Sequence, residues 1–544
     1  MARSGLLGYV LIAVGALLLF VPGLGAVHLF DWDEINFAEI AREMLVTGDW
    51  LQPQIDHRPF HEKPPLFMWM QAICMSVFGI GEFAARVPNA IAGLFTLLAL
   101  YRIGSNLRDG TFGMLWVLAY VGSLLPHLYF RSGIIDPWFN LFIFLGLHHL
   151  IEASARDALA RHGWLSGFYL GLAVLTKGPV GLLIPGLVVL AYTAFNGFRI
   201  PIGWLTIGRT AAGIAFVVGS WLVVDVVRHG PVFIEDFFWR QVAMLTTEDA
   251  GHGGFFGYHF VVLLVGCFPA SLFAIRQLLR PERESARLND HRRWMVLLFW
   301  VVLILFSIVR TKIVHYSSLA YFPLTYLAAL TLESIWKRGS TAGTWTRIGI
   351  GVVGGILALV FTLLPVIGNN LYIIRPLFAQ DAFALGNLDA EVTWSGSEAL
   401  AGLWLGLTVA SALFWLDGKD RRWGILTLFG GMALFIPLAL MLTINKIEGY
   451  SQRAAIDFFK ERQGERCYVI TMGYKSYAHL FYTRKPPVED PRAYDEEWLL
   501  HGSIDRPVYV VSKITSVEEV KRIGTLQVLG TKNGFVFWQR PVPR

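Results

Sequence analysis

Two charged clusters stand near the N-terminus, Asp31-Trp-Asp-Glu34 and His61-Glu-Lys-Pro-Pro65, between one long apolar segment and a series of others. Helices in a bilayer do not need acids and bases there to hold together, so this charge is a candidate for chemistry at a membrane face. Asp33 and Glu34 are carboxylates able to take a proton. Lys63 is a cation able to hold an anion, and Glu62 offers hard oxygen ligands. Similar polar groups recur downstream. Arg131 and Asp136 fall in Arg131-Ser-Gly-Ile-Ile-Asp-Pro137, and Lys177 in Leu175-Thr-Lys-Gly-Pro179. His252 stands in Glu248-Asp-Ala-Gly-His-Gly-Gly254, and Lys312, His315 and Tyr316 in Arg310-Thr-Lys-Ile-Val-His-Tyr316.

Such a set suits a donor made of a sugar phosphate on a long isoprenoid. The tail stays in the bilayer while the headgroup stands at its surface. Breaking the sugar–phosphate bond leaves a lipid phosphate, whose developing charge cations stabilise. A carboxylate on the opposite side takes the acceptor's proton. Direct attack at the anomeric carbon inverts it. No nucleotide cofactor is needed, and no soluble nucleotide-binding domain is evident.

The elements that position these residues follow from composition. Of 544 residues, 55% are apolar and 16% charged, and the mean hydropathy is +0.52. That excludes an ordinary soluble domain and predicts an all-α polytopic membrane protein. Apolar spans are predicted over 6–29, 84–104, 112–128, 137–152, 163–176, 179–196, 210–228, 257–275, 294–309, 316–335, 347–367, 399–416 and 423–443. That is about thirteen helices. With the first segment a retained anchor and its N-terminus inside, Arg and Lys fall in the cytoplasmic loops. Examples are Arg102 and Arg108, Arg276 to Arg293, and Lys419, Arg421 and Arg422. The net charge of +6 is thus a topology signal, and no nucleic-acid partner is expected. The stretch 65–78 is assigned to an interfacial helix, because a further span would invert every later loop. This orientation predicts a bacterial inner (cytoplasmic) membrane protein whose polar set faces the periplasm.

The membrane domain is expected over 1–444 with its catalytic loop near 30–83, and a small periplasmic α/β domain over 445–544. Strands are predicted at 466–472, 507–512, 527–529 and 534–538, and helices at 451–462 and 516–522. Cys74, Cys267 and Cys467 are far apart and imply no disulfide framework or zinc ribbon.

Each polar residue also has a plainer reading. Lys63, Lys177 and Lys312 suit interfacial lysines that reach for headgroups. Asp33 suits a cap for a helix beginning near Asn36. Asp136 before Pro137 is a common helix start. His252 suits a structural loop residue. The glycines of Gly351-Val-Val-Gly-Gly-Ile356 are a helix-packing feature.

At these positions the chain resembles the GT-C membrane glycosyltransferases, in the bacterial branch of protein O-mannosyltransferases and lipid A aminoarabinose transferases. The resembling pieces are Asp33-Glu-Ile-Asn-Phe-Ala-Glu-Ile-Ala-Arg-Glu-Met44, Thr47-Gly-Asp-Trp50, Glu62-Lys-Pro64, Asp136-Pro137, Thr176-Lys-Gly178, the His252 loop with Phe255-Phe-Gly-Tyr258, and Lys312 through Tyr316. They cover roughly the first 330 residues, in the family's order. The resemblance implies that Asp33 is the catalytic carboxylate, with Glu34 beside it and Asp136 as a second acid. It implies that Lys63 and Tyr316 contact the donor, to which Lys177, Lys312 and Arg131 are added as phosphate or sugar ligands. Glu62 and His252 match positions tied to a divalent metal (zinc, magnesium or manganese). The expected partners are a polyprenyl-phosphate-linked sugar donor, membrane lipids, and a lipid, glycan or protein acceptor such as lipid A. The chain departs from the aminoarabinose enzymes at Asn36 and Phe37, where those carry Arg and Tyr, and at Phe60, near which they carry a further Tyr.

Two other classes compete. A transporter or flippase of a lipid-linked headgroup also places polar groups in broken spans. Against it, the polar set keeps to one face and no repeat halves are evident. A membrane scaffold acting through its C-terminal domain is the third.

Overall fold

The computed structural model describes residues 2–154, 159–246, 253–282 and 284–542. Helices α1 (Ala2–Phe20), α2 (Asp33–Thr47) and α3 (Leu66–Phe78) open the chain. Between the latter two, β1 (Gln54–Ile55) and β2 (Arg58–Pro59) form a hairpin. The helical body continues through α4 (Glu82–Leu107), α5 (Gly110–Val121), α6 (Leu124–Leu128), α7 (Asp136–Ala153), α8 (Arg161–Lys177) and α9 (Val180–Phe195). It then runs through α10 (Trp204–His229), α11 (Val232–Thr246), α12 (Tyr258–Gly266), α13 (Ala270–Leu279) and α14 (Ala286–Ile308). Five more complete it: α15 (Tyr321–Arg338), α16 (Thr344–Asn369), the short α17 (Ala382–Asn387), α18 (Ala399–Asp417) and α19 (Arg421–Ala439).

Each of the thirteen predicted segments is helical over most of its length. Fewer meet the length and apolarity of a bilayer crossing. Among the described residues there are six such helices, or eight if two bent pairs each count as one span. The bent pairs are α5 with α6, at 82°, and α12 with α13, at 118°. The shortfall has simple causes. The apolar part of α1 is only Gly5–Phe20, because Pro22 stops the helix well before residue 29. Helices α8 and α9 are short, and α7 carries Asp136, His148, His149 and Glu152. The stretch 65–78 is helix α3, as expected of an interfacial element.

A large core of buried apolar side chains joins these helices. Close approaches rest on glycine. A Cβ on Gly104 would come 2.8 Å from Gly113 Cα, and one on Gly167 would come 2.3 Å from Thr210 O. Such contacts let α4 and α5, and α8 and α10, pack backbone to backbone.

Past α19 a π turn (Leu440–Ile444) leads into α20 (Asn445–Gly449) and α21 (Arg453–Glu461). Then come β3 (Tyr468–Met472), α22 (Ala478–Thr483), α23 (Glu496–His501), β4 (Val508–Lys513), α24 (Val517–Lys521), β5 (Gln527–Lys532) and β6 (Phe535–Arg540). The strands match the predicted ones within a few residues. The sheet order is β3-β4-β6-β5, with β3 and β4 parallel and the other pairs antiparallel. Alternate residues Val508, Val510, Val536 and Trp538 build a small core of their own. Trp538 donates to Ser512 Oγ at 2.9 Å.

This C-terminal region sits on the loop between α1 and α3. Leu29 N donates to Tyr482 Oη at 2.7 Å, and His28 Nδ1 lies 2.9 Å from Glu448. Ser476 donates to Asp31. Arg42 donates to Lys485 O at 3.0 Å, and Tyr494 donates to Asp56 O at 2.9 Å.

Candidate active site

Helix α2 begins at Asp33 itself. Trp32 is the N-cap and makes no side-chain cap bond, so Asp33 lies in the first turn and is not the cap. Its half-exposed carboxylate is 3.5 Å from His315 Nε2. The same nitrogen lies 3.9 Å from Asp136 Oδ2, so one imidazole stands between two carboxylates. Asp136 likewise opens its helix without capping it. Ile135 is the N-cap and Pro137 sits in the first turn. The carboxylate of Asp136 accepts from Lys177 Nζ at 2.7 Å, and its Oδ2 is buried with no hydrogen-bond partner.

Antiparallel packing of α7 and α8 creates this pair. Asp136 is on the first turn of α7 and Lys177 on the last of α8, so each charge also suits its helix end. Gly178, at φ +87°, ends α8 at once. A Cβ there would meet Phe237 at 2.4 Å, so α11 rests on this turn. The Lys177 ammonium stands 5.5 Å from the ring centroids of both Phe139 and Tyr316. Tyr316 in turn packs edge-on to His315. The 3-10 turn carrying both (Val314–Ala320) is pinned to α7 by Asn140, which donates to Ser318 Oγ at 2.7 Å.

Lys63, between the hairpin and α3, joins the cluster electrostatically. Burial and then the Lys177 charge push its ammonium below the usual range, while Asp33 and Glu62 oppose them. The structure therefore brings together Asp33, Asp136, Lys177 and Tyr316, with His315 between the two acids and Lys63 within electrostatic reach of Asp33 and Lys177. Two lysines stand against two acids, so the cluster is balanced in formal charge, and Lys177 is held by Asp136.

Three expected site residues are engaged elsewhere. Glu34 is 5% exposed and holds Arg86 through both oxygens, at 2.9 and 2.7 Å. It also accepts from Phe30 N at 2.9 Å and from Gly133 N. Burial alone would raise this carboxyl, but the Arg86 guanidinium overrides it and holds Glu34 below the ordinary range. Glu34 ties α2 to α4. The terminal nitrogens of Arg131 hold Leu19 O and Pro22 O at the end of α1. Lys312 spends its ammonium on three carbonyls at the end of α14: Phe306 at 3.0 Å, Ser307 at 2.7 Å and Val309 at 2.5 Å. All three of its donors are thus taken, and it caps the end of a helix.

Of the expected metal pair, His252 lies outside the described residues. Glu62 pairs with Arg240 at 2.7 Å. Among the described residues no three His, Cys, Asp or Glu side chains converge as a metal site. The sequence reading also passed over Asp236, whose carboxylate meets His61 Nδ1 at 2.7 Å. Asp236 and Arg240 are one helical turn apart on α11 and grip the consecutive His61 and Glu62. That spacing was readable, but the partners lie in a distant loop. His315 was visible in the motif ending at Tyr316, and its place between two carboxylates was not.

Comparison with known proteins fits this geometry. The dolichyl-phosphate-mannose-protein mannosyltransferase family model matches residues 62–221. An undecaprenyl phosphate-alpha-4-amino-4-deoxy-L-arabinose arabinosyl transferase of Sodalis glossinidius is 30% identical over 457 residues, covering 82% of this chain and 77% of that protein. The chain belongs to this ArnT-like family of GT-C glycosyltransferases. A family member from Pseudomonas aeruginosa is 27% identical over 395 residues, 71% of this chain and 69% of its own. The fold is that of the family too. The crystal structure of ArnT from Cupriavidus metallidurans bound to undecaprenyl phosphate superimposes with a TM-score of 0.76 at 20% identity. The match covers 98% of this chain and 99% of that one. This ArnT-like chain is therefore a multi-pass membrane glycosyltransferase, mostly helical, with a small sheet region at its C-terminal end.

Proposed function

We propose that the chain transfers a sugar from a polyprenyl-phosphate-linked donor, with inversion, to an acceptor at the outer face of the bacterial inner membrane. The observation that carries this is one half-buried cluster in which Asp136 pairs with Lys177 and His315 stands between Asp136 and Asp33, with Lys63 within electrostatic reach. Asp33, the more exposed acid, takes the acceptor's proton. Lys63 and Lys177 receive the leaving lipid phosphate, and Tyr316 lines the sugar beside them. Asp136 aligns Lys177, and His315 keeps the two carboxylates apart. Stabilising a leaving phosphate with placed cations contributes on the order of 10²–10³ in rate, and a placed base contributes about 10²–10⁴. About thirteen crossings, with the C-terminal region periplasmic over 445–544, accord with the Arg- and Lys-rich loops.

The sugar is set by the surroundings of α2. Phe37 is buried and packs edge-on against Phe67, so the phenol found there in the aminoarabinose enzymes would need a new partner. Asn36 Oδ1 is buried without one. We therefore place the acceptor broadly among lipid A, other glycans and proteins. A divalent ion at Glu62 and His252 remains part of the proposal. It requires Glu62 to release Arg240, and metal analysis of protein purified with and without chelator tests it.

The decisive assay uses purified protein in detergent and a polyprenyl-phosphate sugar. Asp33→Asn should cut transfer by about 10²–10⁴ while leaving the melting temperature unchanged. Undiminished transfer would remove Asp33 as the base. Wild-type protein that transfers no sugar from any such donor would favour headgroup transport. Mass spectrometry of membranes with and without the protein then names the acceptor.

A further inference from the structure

We infer that the cleft between the β1–β2 hairpin and strand β3 binds an anionic sugar of the acceptor, a role that rests on the transferase reading above. The cleft has a volume of about 350 Å³, enough for a monosaccharide and its charged group. One wall is the hairpin with Asp56 and Arg58. The other is β3 (Val469, Ile470 and Thr471) with the loop that follows it. Because β3 is an edge strand, one side of its backbone offers unpaired N–H and C=O groups to the cleft.

The side chains suit a charged sugar. Tyr474, Tyr477 and Tyr494 line the cleft together with Arg58, Lys475 and Lys485. Tyrosine presents an apolar ring and a polar tip, the combination a sugar face and its hydroxyls require. Tyr474 Oη is buried and has no hydrogen-bond partner among the described residues. The cations are not equivalent. Lys485 is neutralised by Asp56, and the Arg58 guanidinium stacks 3.7 Å above the Tyr494 ring. Lys475 is exposed and stands 5.4 Å from the Trp32 ring and 5.6 Å from the Tyr477 ring. Among the described residues Glu496 is the lining carboxylate outside any ion pair, and it offsets one of the two cations, Arg58 and Lys475, that are likewise outside one. The lining keeps one net positive charge for an anion to meet.

Position links the cleft to catalysis. Ser476 lines it and donates to Asp31, and Lys475 covers Trp32. Both contacts fall within two residues of Asp33. A sugar held here lies beside the two residues that lead into Asp33, the carboxylate assigned to the acceptor. The C-terminal region then selects the acceptor instead of merely decorating the membrane domain.

The test is a binding titration of the full-length protein in detergent with glucose 1-phosphate, glucose and inorganic phosphate. Glucose 1-phosphate should bind best, and Lys475→Ala should weaken it about tenfold, the effect of losing one charge-assisted contact. Lys475→Glu should weaken it further, and Lys475→Arg should largely restore it. Because Lys475 is exposed, these variants keep the hairpin seated. Equal binding of inorganic phosphate would overturn the sugar assignment, and affinity indifferent to Lys475→Ala and Lys475→Glu would overturn the site. In the transfer assay, Lys475→Ala should raise KM for a phosphorylated acceptor and leave KM for the donor unchanged. A wild type without transferase activity would sink the transferase reading while leaving the titration to judge the cleft.

Discussion

Along α2 two groups of charge are used in opposite ways. The first turn presents Asp33, half-exposed, to His315 and to a neighbouring pair whose Asp136 Oδ2 has no hydrogen-bond partner. Two turns later Glu39, Arg42 and Glu43 are fully buried under the C-terminal region. Arg42 grips both oxygens of Glu39 at 2.7 Å and adds Lys485 O. Glu43 accepts from Asp56 N at 2.8 Å and from His57 N at 2.9 Å. Those two residues form the hairpin turn and both take positive φ, +58° and +55°. Non-glycine residues rarely adopt that conformation twice in succession. The Glu43 carboxyl, accepting both amides, offsets part of the cost. The charge that is completely satisfied builds the loop, and the charge left incompletely satisfied is available to a substrate.

This contrast can be broken by substitution. Asp33→Asn should cut transfer by about 10²–10⁴ with no loss of folded protein, as read by turnover and melting temperature side by side. Its neighbour should behave in reverse. Glu34→Ala leaves Arg86 buried without its partner and should cost about 3–5 kcal/mol of stability, seen as loss of folded yield. A Glu34→Ala protein that folds normally and has lost only turnover would return Glu34 to the catalytic set. Lys312→Met should cost about 1–2 kcal/mol through the uncapped end of α14, with kcat unchanged. A further effect is a pH dependence. Burial, with Glu39 beside it, pushes the Glu43 carboxyl up from 4.5 to about 9. The folded state then holds a proton that the unfolded chain releases. The stability this contributes is present in full below the ordinary value and is lost as pH rises towards 9. The melting temperature should fall from pH 5 to pH 9, and Glu43→Gln should flatten that fall. An unchanged slope would mean that Glu43 is already ionised.

Much of the site was legible because its residue types are expensive in a membrane setting. Asp33, Lys63, Asp136, Lys177 and Tyr316 stood out as charge or phenol at the ends of apolar runs, and the structure gathers them. Glu34, Arg131 and Lys312 stood out for the same reason and serve helix ends and inter-helix ties instead. Sequence cannot separate the two groups, because both need buried or half-buried charge. The difference lies in how many donors and acceptors each residue finds. Secondary structure was legible too: the apolar periodicity marked the helices, and alternation marked β3, β4 and β6.

By itself the sequence determined a multi-pass helical chain, the loops that carry its ionisable groups, and a C-terminal stretch able to form a sheet. Those follow from composition and period, which act residue by residue. Only the tertiary structure decided that His315 stands between Asp33 and Asp136, and that Glu34 belongs to Arg86. It also decided that the C-terminal sheet closes over the hairpin to leave the Lys475 cleft. Each of these depends on partners brought together from far along the chain, and hydrogen-bond satisfaction is a property of that assembly.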